Sequence, residues 1–158
     1  MKRYIGTKTV MAEPMTASVA QEKGYRTGEH HGDAEGYEVE YEDGYRSWSP
    51  KEVFETAYRE TTGLDFGQAL EALKRGKKVT RKGWNGKGMF LWLKPAAIIK
   101  SEWCKDPELK SLVDENGGEI LALGTICMYT HDSTGRKAIL TGWLASQSDM
   151  LCEDWEIL

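Results

Sequence analysis

The sequence predicts an α+β protein, and three observations carry that expectation. Two strand pairs meet at turn signals, one about Asp43-Gly44 and one about Asp132-Ser133-Thr134-Gly135. Two helical stretches each open on a capping residue, Ser49 before Pro50 and Asp65 before Phe66. The 158 residues are 40% apolar and 29% charged, the balance of an ordinary globular chain with room for one average domain or two small ones.

Residues 1–27 alternate loosely through Tyr4-Ile5 and Val10-Met11 before Pro14, which allows one short strand. Residues 28–36 are polar and punctuated by glycine, and read as a surface loop. Tyr37-Glu38-Val39-Glu40-Tyr41 then alternates with period two, turns at Asp43-Gly44 and returns through Tyr45-Arg46-Ser47-Trp48 as a hairpin. In the helix that follows, Ser49 is expected to cap, Pro50 to fill the first turn and Glu52 to bond back to the cap. Its apolar stripe is Val53, Phe54, Ala57 and Tyr58. Residues 1–60 are thus expected to form a small β-hairpin-plus-helix module, and Thr61-Thr62-Gly63 a linker.

Asp65 caps the second helix, whose buried face is Phe66, Ala69, Leu70 and Leu73, and Gly76 ends it in the left-handed position. Residues 77–82 read as a basic strand running into the glycine-rich turn Gly83-Trp84-Asn85-Gly86-Lys87-Gly88. Met89-Phe90-Leu91-Trp92-Leu93 is an apolar strand stopped by Pro95, and residues 96–118 read as an irregular insertion. Residues 120–129 and 137–143 form the second hairpin, 145–149 a polar loop, and 154–158 a short closing segment.

No apolar run approaches the roughly 20 residues of a membrane helix, and the basic start has no apolar stretch behind it, so no membrane span or signal peptide is expected. Cys104, Cys127 and Cys152 form no CxxC pair and read as reduced thiols. The net charge of −4 is unevenly spread: residues 1–60 carry 8 basic and 12 acidic side chains, 61–100 carry 9 and 2, and 101–158 carry 4 and 11. A duplex-binding protein shows a dominant basic face. One short basic block inside an acidic chain suits a small phosphorylated ligand better than DNA or RNA.

Catalytic constellations are thin. His131 sits at a hairpin tip, where a solvated turn histidine is the ordinary reading. The neighbours His30 and His31 point opposite ways on an extended chain and make a poor metal cage with Asp33. The 83–88 turn lacks the Gly-Lys-Ser/Thr ending of a phosphate loop and leads into a strand, not a helix. No enzyme, metal or cofactor is expected. The six tryptophans say more: Trp84 and Trp143 lie beside turn or loop signals, whereas Trp92 and Trp155 read as core rings. Such rings either fill a small core or stack on a purine, a contact worth about 1–3 kcal/mol per base.

The blocks 65–76 and 79–91, with Val79-Thr80-Arg81-Lys82-Gly83-Trp84-Asn85-Gly86-Lys87-Gly88-Met89-Phe90-Leu91, run together. The chain closes on Gly142-Trp143-Leu144-Ala145-Ser146-Gln147-Ser148-Asp149-Met150-Leu151-Cys152-Glu153-Asp154-Trp155. Over residues 64–158 this resembles the second Thoeris anti-defence family, small phage proteins that act as sponges for a bacterial immune signal. The first 60 residues resemble a leader module of other small phage proteins and bring no activity with them. The resemblance implies a compact α+β domain, one helix on a small antiparallel sheet. It implies tight binding of glycocyclic ADP-ribose without cleavage, so that the Thoeris effector is not switched on in the cytoplasm of the infected host. It also implies homo-oligomers, commonly tetramers, with pockets between protomers, and in some relatives sequestration of cyclic dinucleotides of another anti-phage system.

Carried over by motif, Trp84 and Asn85 stack on and hydrogen-bond the ligand, and Met89 and Phe90 line the wall. Trp143, Ser146, Gln147 and Asp149 come from the closing block, while Arg81 is assigned to the phosphate on charge and nearness. Gly86, Leu91, Leu70 and Trp155 are assigned to structure. The insertion 96–118 is long for this domain, and Cys152 stands where alanine is expected. Two rival readings remain: a hydrolase of the same nucleotide, and a protein–protein inhibitor acting through the acidic first module.

Overall fold

The computed structural model describes residues 1–158, which divide into two compact units, Met1–Glu60 and Thr61–Leu158. In the first, β1 (Met11–Thr16), β2 (Glu35–Glu40) and β3 (Arg46–Pro50) form an antiparallel sheet in that order. The β2–β3 turn follows the Asp-Gly signal: Gly44 sits at φ +81°, and the Asp43 carboxylate accepts from Tyr45 N–H at 3.0 Å. Helix α1 (Ala17–Glu22), which periodicity did not reveal, buries Ala17 and Ala20 with Met15 and Trp48. The Trp48 indole N–H donates to the Met15 carbonyl at 2.9 Å. On the neighbouring strand, two residues before its partner Glu38, a Cβ on Gly36 would stand 2.3 Å from the indole, so only glycine lets the ring cross the strand there.

Helix α2 (Lys51–Ala57) is present, but Ser49 does not cap it. Ser49 is paired with Tyr37 in the sheet, strand β3 continues through Pro50, and Pro50 takes the cap position without a side-chain bond. The expected apolar stripe is not buried either: Val53 is exposed, and Phe54 instead stacks on Tyr37 at 4.3 Å and Tyr58 at 4.9 Å. His30 and His31 are exposed; His30 tilts over Trp48, and the His31 Nδ1 meets the Gln21 amide at 3.0 Å.

The second unit starts with α3 (Phe66–Lys74), which bears the full capping box between Asp65 and Gln68. Gly76 at φ +78° lets Lys77 N–H reach the Ala72 carbonyl at 3.0 Å, closing the helix in a Schellman motif. The helix lies on a five-stranded antiparallel sheet of β4 (Val79–Arg81), β5 (Phe90–Lys94), β8 (Thr125–His131), β9 (Lys137–Thr141) and β10 (Trp155–Ile157), ordered β10-β4-β5-β8-β9. Leu64, Ala69, Ala72, Leu73, Val79, Leu91, Met128 and Trp155 form the core between them. The α+β expectation therefore holds, with a larger complement of small helices than one.

Two segments differ from the sequence reading. Residues 96–118 are ordered, not irregular: β6 (Ala97–Lys100), a 3-10 turn (Ser101–Trp103) and α4 (Pro107–Glu115) lead into β7 (Glu119–Ala122), which pairs with β6 alone. Asp106 caps α4 by accepting from Leu109 N–H at 2.8 Å and Pro107 fills the first turn, a start signal the composition of the stretch obscured. The strand expected over 120–129 is consequently two strands, broken at Leu123-Gly124. The second difference is α5 (Gln147–Leu151), a short helix where a polar loop was expected; Ser146 and Asp149 form its capping box.

Candidate ligand site at the tryptophan corner

Strand β4 ends at Arg81, and the glycine-rich turn leaves it beside the last strand and α5. Arg81 is only 11% exposed and spends its donors on two carboxylates. Its Nη1 meets Asp149 Oδ1 at 2.6 Å and its Nε meets Asp154 Oδ1 at 2.8 Å. The remaining Asp154 oxygen accepts from Gly83 N–H at 2.8 Å, a fit that needs glycine, since a Cβ there would stand 2.6 Å from that oxygen.

Asp149 gathers more. Besides Arg81, its Oδ1 accepts the Trp84 indole N–H at 3.1 Å, and its Oδ2 accepts the Ser146 N–H at 2.9 Å and hydroxyl at 2.7 Å. Its main-chain carbonyl accepts the Trp155 indole N–H at 2.9 Å. Burial works to raise the Asp149 pKa, but the Ser146 bonds, Arg81 and Trp84 together bring it down to about 2. Asp154 is held at about 2 chiefly by Arg81, and Arg81 is pushed well above its ordinary value by the same pair.

Three indoles meet above this bridge, nearly edge to face: Trp84 to Trp155 at 5.4 Å, Trp84 to Trp143 at 6.2 Å and Trp143 to Trp155 at 6.2 Å, with Phe66 5.6 Å from Trp155. Trp155 is fully buried, whereas Trp84 and Trp143 remain half-buried. Asn85 and Gln147 stand exposed, and Met89 packs against the core with its sulfur over Gly86, where a Cβ would lie 2.1 Å from Sδ.

The expected residues Arg81, Trp84, Met89, Trp143, Ser146 and Asp149 thus come together. Phe90 does not join them. Leu91 and Leu93 face the core, so Phe90 and Trp92 face the other side of the sheet, where Phe90 stacks on Tyr129 at 5.0 Å with the Lys78 ammonium 4.9 Å from its ring. Asp154 and Gly83, missing from the expected set, are integral to the corner. The signal for Asp154 was the acidic closing block itself: part of the basic block is matched internally, by Arg81 with Asp149 and Asp154 and by Lys82 with Glu156 at 3.1 Å.

Fold and corner together define a small α+β domain whose exposed edge carries indole rings pinned by buried charge. The family model described as Thoeris anti-defense 2-like domain (Tad2-like) matches residues 64–158. A protein of Bacillus phage SP01 described as "Thoeris anti-defense 2" is 36% identical over 104 residues, covering 61% of this chain and 97% of its own length. The chain belongs to the Thoeris anti-defense 2-like family, and the corner lies wholly inside the matched region.

Proposed function

We propose that the chain is a phage anti-defence sponge that binds glycocyclic ADP-ribose and holds it uncleaved in the host cytoplasm, so that the Thoeris effector is never switched on. The observation that carries this reading is the pair of half-buried indoles, Trp84 and Trp143, fixed at the edge of the family-matched domain beside exposed Asn85 and Gln147. Indole faces stack on a purine, and the amides bond polar edges and ribose hydroxyls. A sponge must outcompete the effector, which asks for nanomolar binding, about −12 kcal/mol. Assembly as a homotetramer, with a neighbouring protomer closing each corner, supplies the enclosure that one chain lacks. Ligand then stabilises the assembly by mass action.

Calorimetric titration with glycocyclic ADP-ribose, then heating and chromatography of the released nucleotide, tests the reading. Nanomolar binding with intact nucleotide supports it, whereas conversion to another product makes the chain a hydrolase. Trp84→Ala is expected to lose binding and remain folded, while Trp155→Ala lowers the melting temperature, as removal of a fully buried indole costs about 3–5 kcal/mol. A second reading, sequestration of cyclic dinucleotides, draws on the Phe90–Tyr129 stack capped by Lys78, a separate aromatic and cationic face. The same titration with cyclic dinucleotides addresses it through Phe90→Ala.

A further inference from the structure

We propose that Arg81 is a positioning residue that fixes the Trp84 ring through Asp149, and that Lys87 is the cation the glycine-rich turn offers to a ligand phosphate. The inference rests on the nucleotide-binding reading for its second half and stands alone for its first.

The guanidinium of Arg81 lies between two carboxylates and is nearly closed off from solvent. One cation between two anions leaves the cluster with a net negative charge, which repels a phosphate instead of drawing it in. Its geometry serves another end. Asp149 Oδ1 is shared between Arg81 Nη1 and the Trp84 indole N–H, so the place of that carboxylate sets the orientation of the ring. Arg81 also reaches Asp154, whose second oxygen holds Gly83, the residue before Trp84. The bridge therefore fixes both the backbone entering Trp84 and the edge of its indole.

Within the turn itself, residues 83–88, Lys87 is the one basic side chain. The nearest lysines outside it in the strand are engaged elsewhere or precede it by a full strand. Lys82 is tied to Glu156 and to the Thr62 carbonyl at 3.2 Å. Lys78 covers Phe90 on the opposite side of the sheet. Lys87 is exposed, its ammonium makes no hydrogen bond or ion pair, and it follows Asn85 by two residues in the same turn. Gly86 and Gly88, the latter at φ +74°, flank it, so its backbone is set by residues without side chains of their own.

The test uses the full chain carrying 5-fluorotryptophan, with the Trp84 fluorine resonance assigned by its loss in Trp84→Phe. Glycocyclic ADP-ribose is titrated at low and at raised salt. Lys87→Gln is expected to leave the Trp84 resonance in place and to weaken binding at least tenfold at low salt, the deficit shrinking as salt rises. Arg81→Lys is expected to move the Trp84 resonance without ligand and to weaken binding while keeping the salt dependence of the unaltered protein. An unmoved Trp84 resonance in Arg81→Lys, with binding weakened, assigns Arg81 to direct contact and overturns the first half. Binding by Lys87→Gln equal to that of the unaltered protein overturns the second. Should Arg81→Lys fail to fold, Asp149→Asn poses the same question, with an unmoved resonance again counting against the bridge. If the unaltered protein binds no nucleotide, the functional reading and the Lys87 assignment fail together. The resonance without ligand still decides the role of Arg81.

Discussion

Asp149 is a buried carboxylate that caps a helix, holds an arginine and orients an indole at once, and each of those bonds is stronger with its charged form. The pKa values of Asp149 and Asp154 near 2 turn that into a stability statement. In the unfolded chain both carboxyls titrate near 4, so as pH falls the unfolded state takes up protons first. The stabilisation is complete above about pH 4 and is lost progressively down to about pH 2, at about 2 kcal/mol for each group. Acid titration of the melting temperature is expected to show that loss, and Asp154→Asn to shrink it; a midpoint flat across this window would show that neither carboxylate is paired in solution. At this scale the sequence reading grouped Arg81, Trp84 and Asp149, which the structure brings together, without showing that Arg81 is paired with two carboxylates. Arg81 looked like a free cation next to a tryptophan, because the 68 and 73 residues separating it from its two carboxylates hide the pairing from any local pattern.

Elements whose signals are local were legible. The Asp65 cap, Gly76 and the Asp43-Gly44 turn each act within a few residues, and the helix, its end and the hairpin followed. Ser49 failed as a cap because a long-range competitor, its pairing with Tyr37, had prior claim on the backbone. The α5 box failed to register because five residues are too short to show periodicity. The β6–α4–β7 excursion is the instructive case. Lys94 and Thr125, which flank it, are directly paired across β5 and β8, so the sheet closes beneath it without its help. None of the buried residues of the main core comes from it. Replacing residues 95–124 by Asn-Gly, a two-residue hairpin turn, is therefore expected to keep cooperative melting and to leave nucleotide titration within a few-fold. A chain that no longer melts cooperatively would show the excursion to be part of the domain's core.

Charge sorts the whole molecule more sharply than its net value of −4 suggests. The first unit carries 8 basic and 12 acidic side chains, while residues 61–158 carry 13 of each, so the family-matched domain is neutral overall and the surplus negative charge belongs to the first unit. The basic block of 61–100 and the acidic block of 101–158 meet inside one fold, as Arg81 and Lys82 show. Part of what looked like an anion-attracting block is thus internal pairing. For a nucleotide carrying a pyrophosphate, the first unit offers long-range repulsion, which salt screens over about 10 Å at 0.1 M. The fragment 61–158 holds its own core, with Leu64 and Trp155 bonded main chain to main chain at 2.9 and 3.1 Å where the unit opens and closes. It is expected to melt cooperatively by itself. It is also expected to bind glycocyclic ADP-ribose as tightly as the full chain at 0.15 M salt, and slightly more tightly at low salt. A fragment that binds equally well yet no longer protects phage in Thoeris-bearing cells would separate the two units by role. The nucleotide would then belong to the second unit, and an essential protein contact to the acidic first.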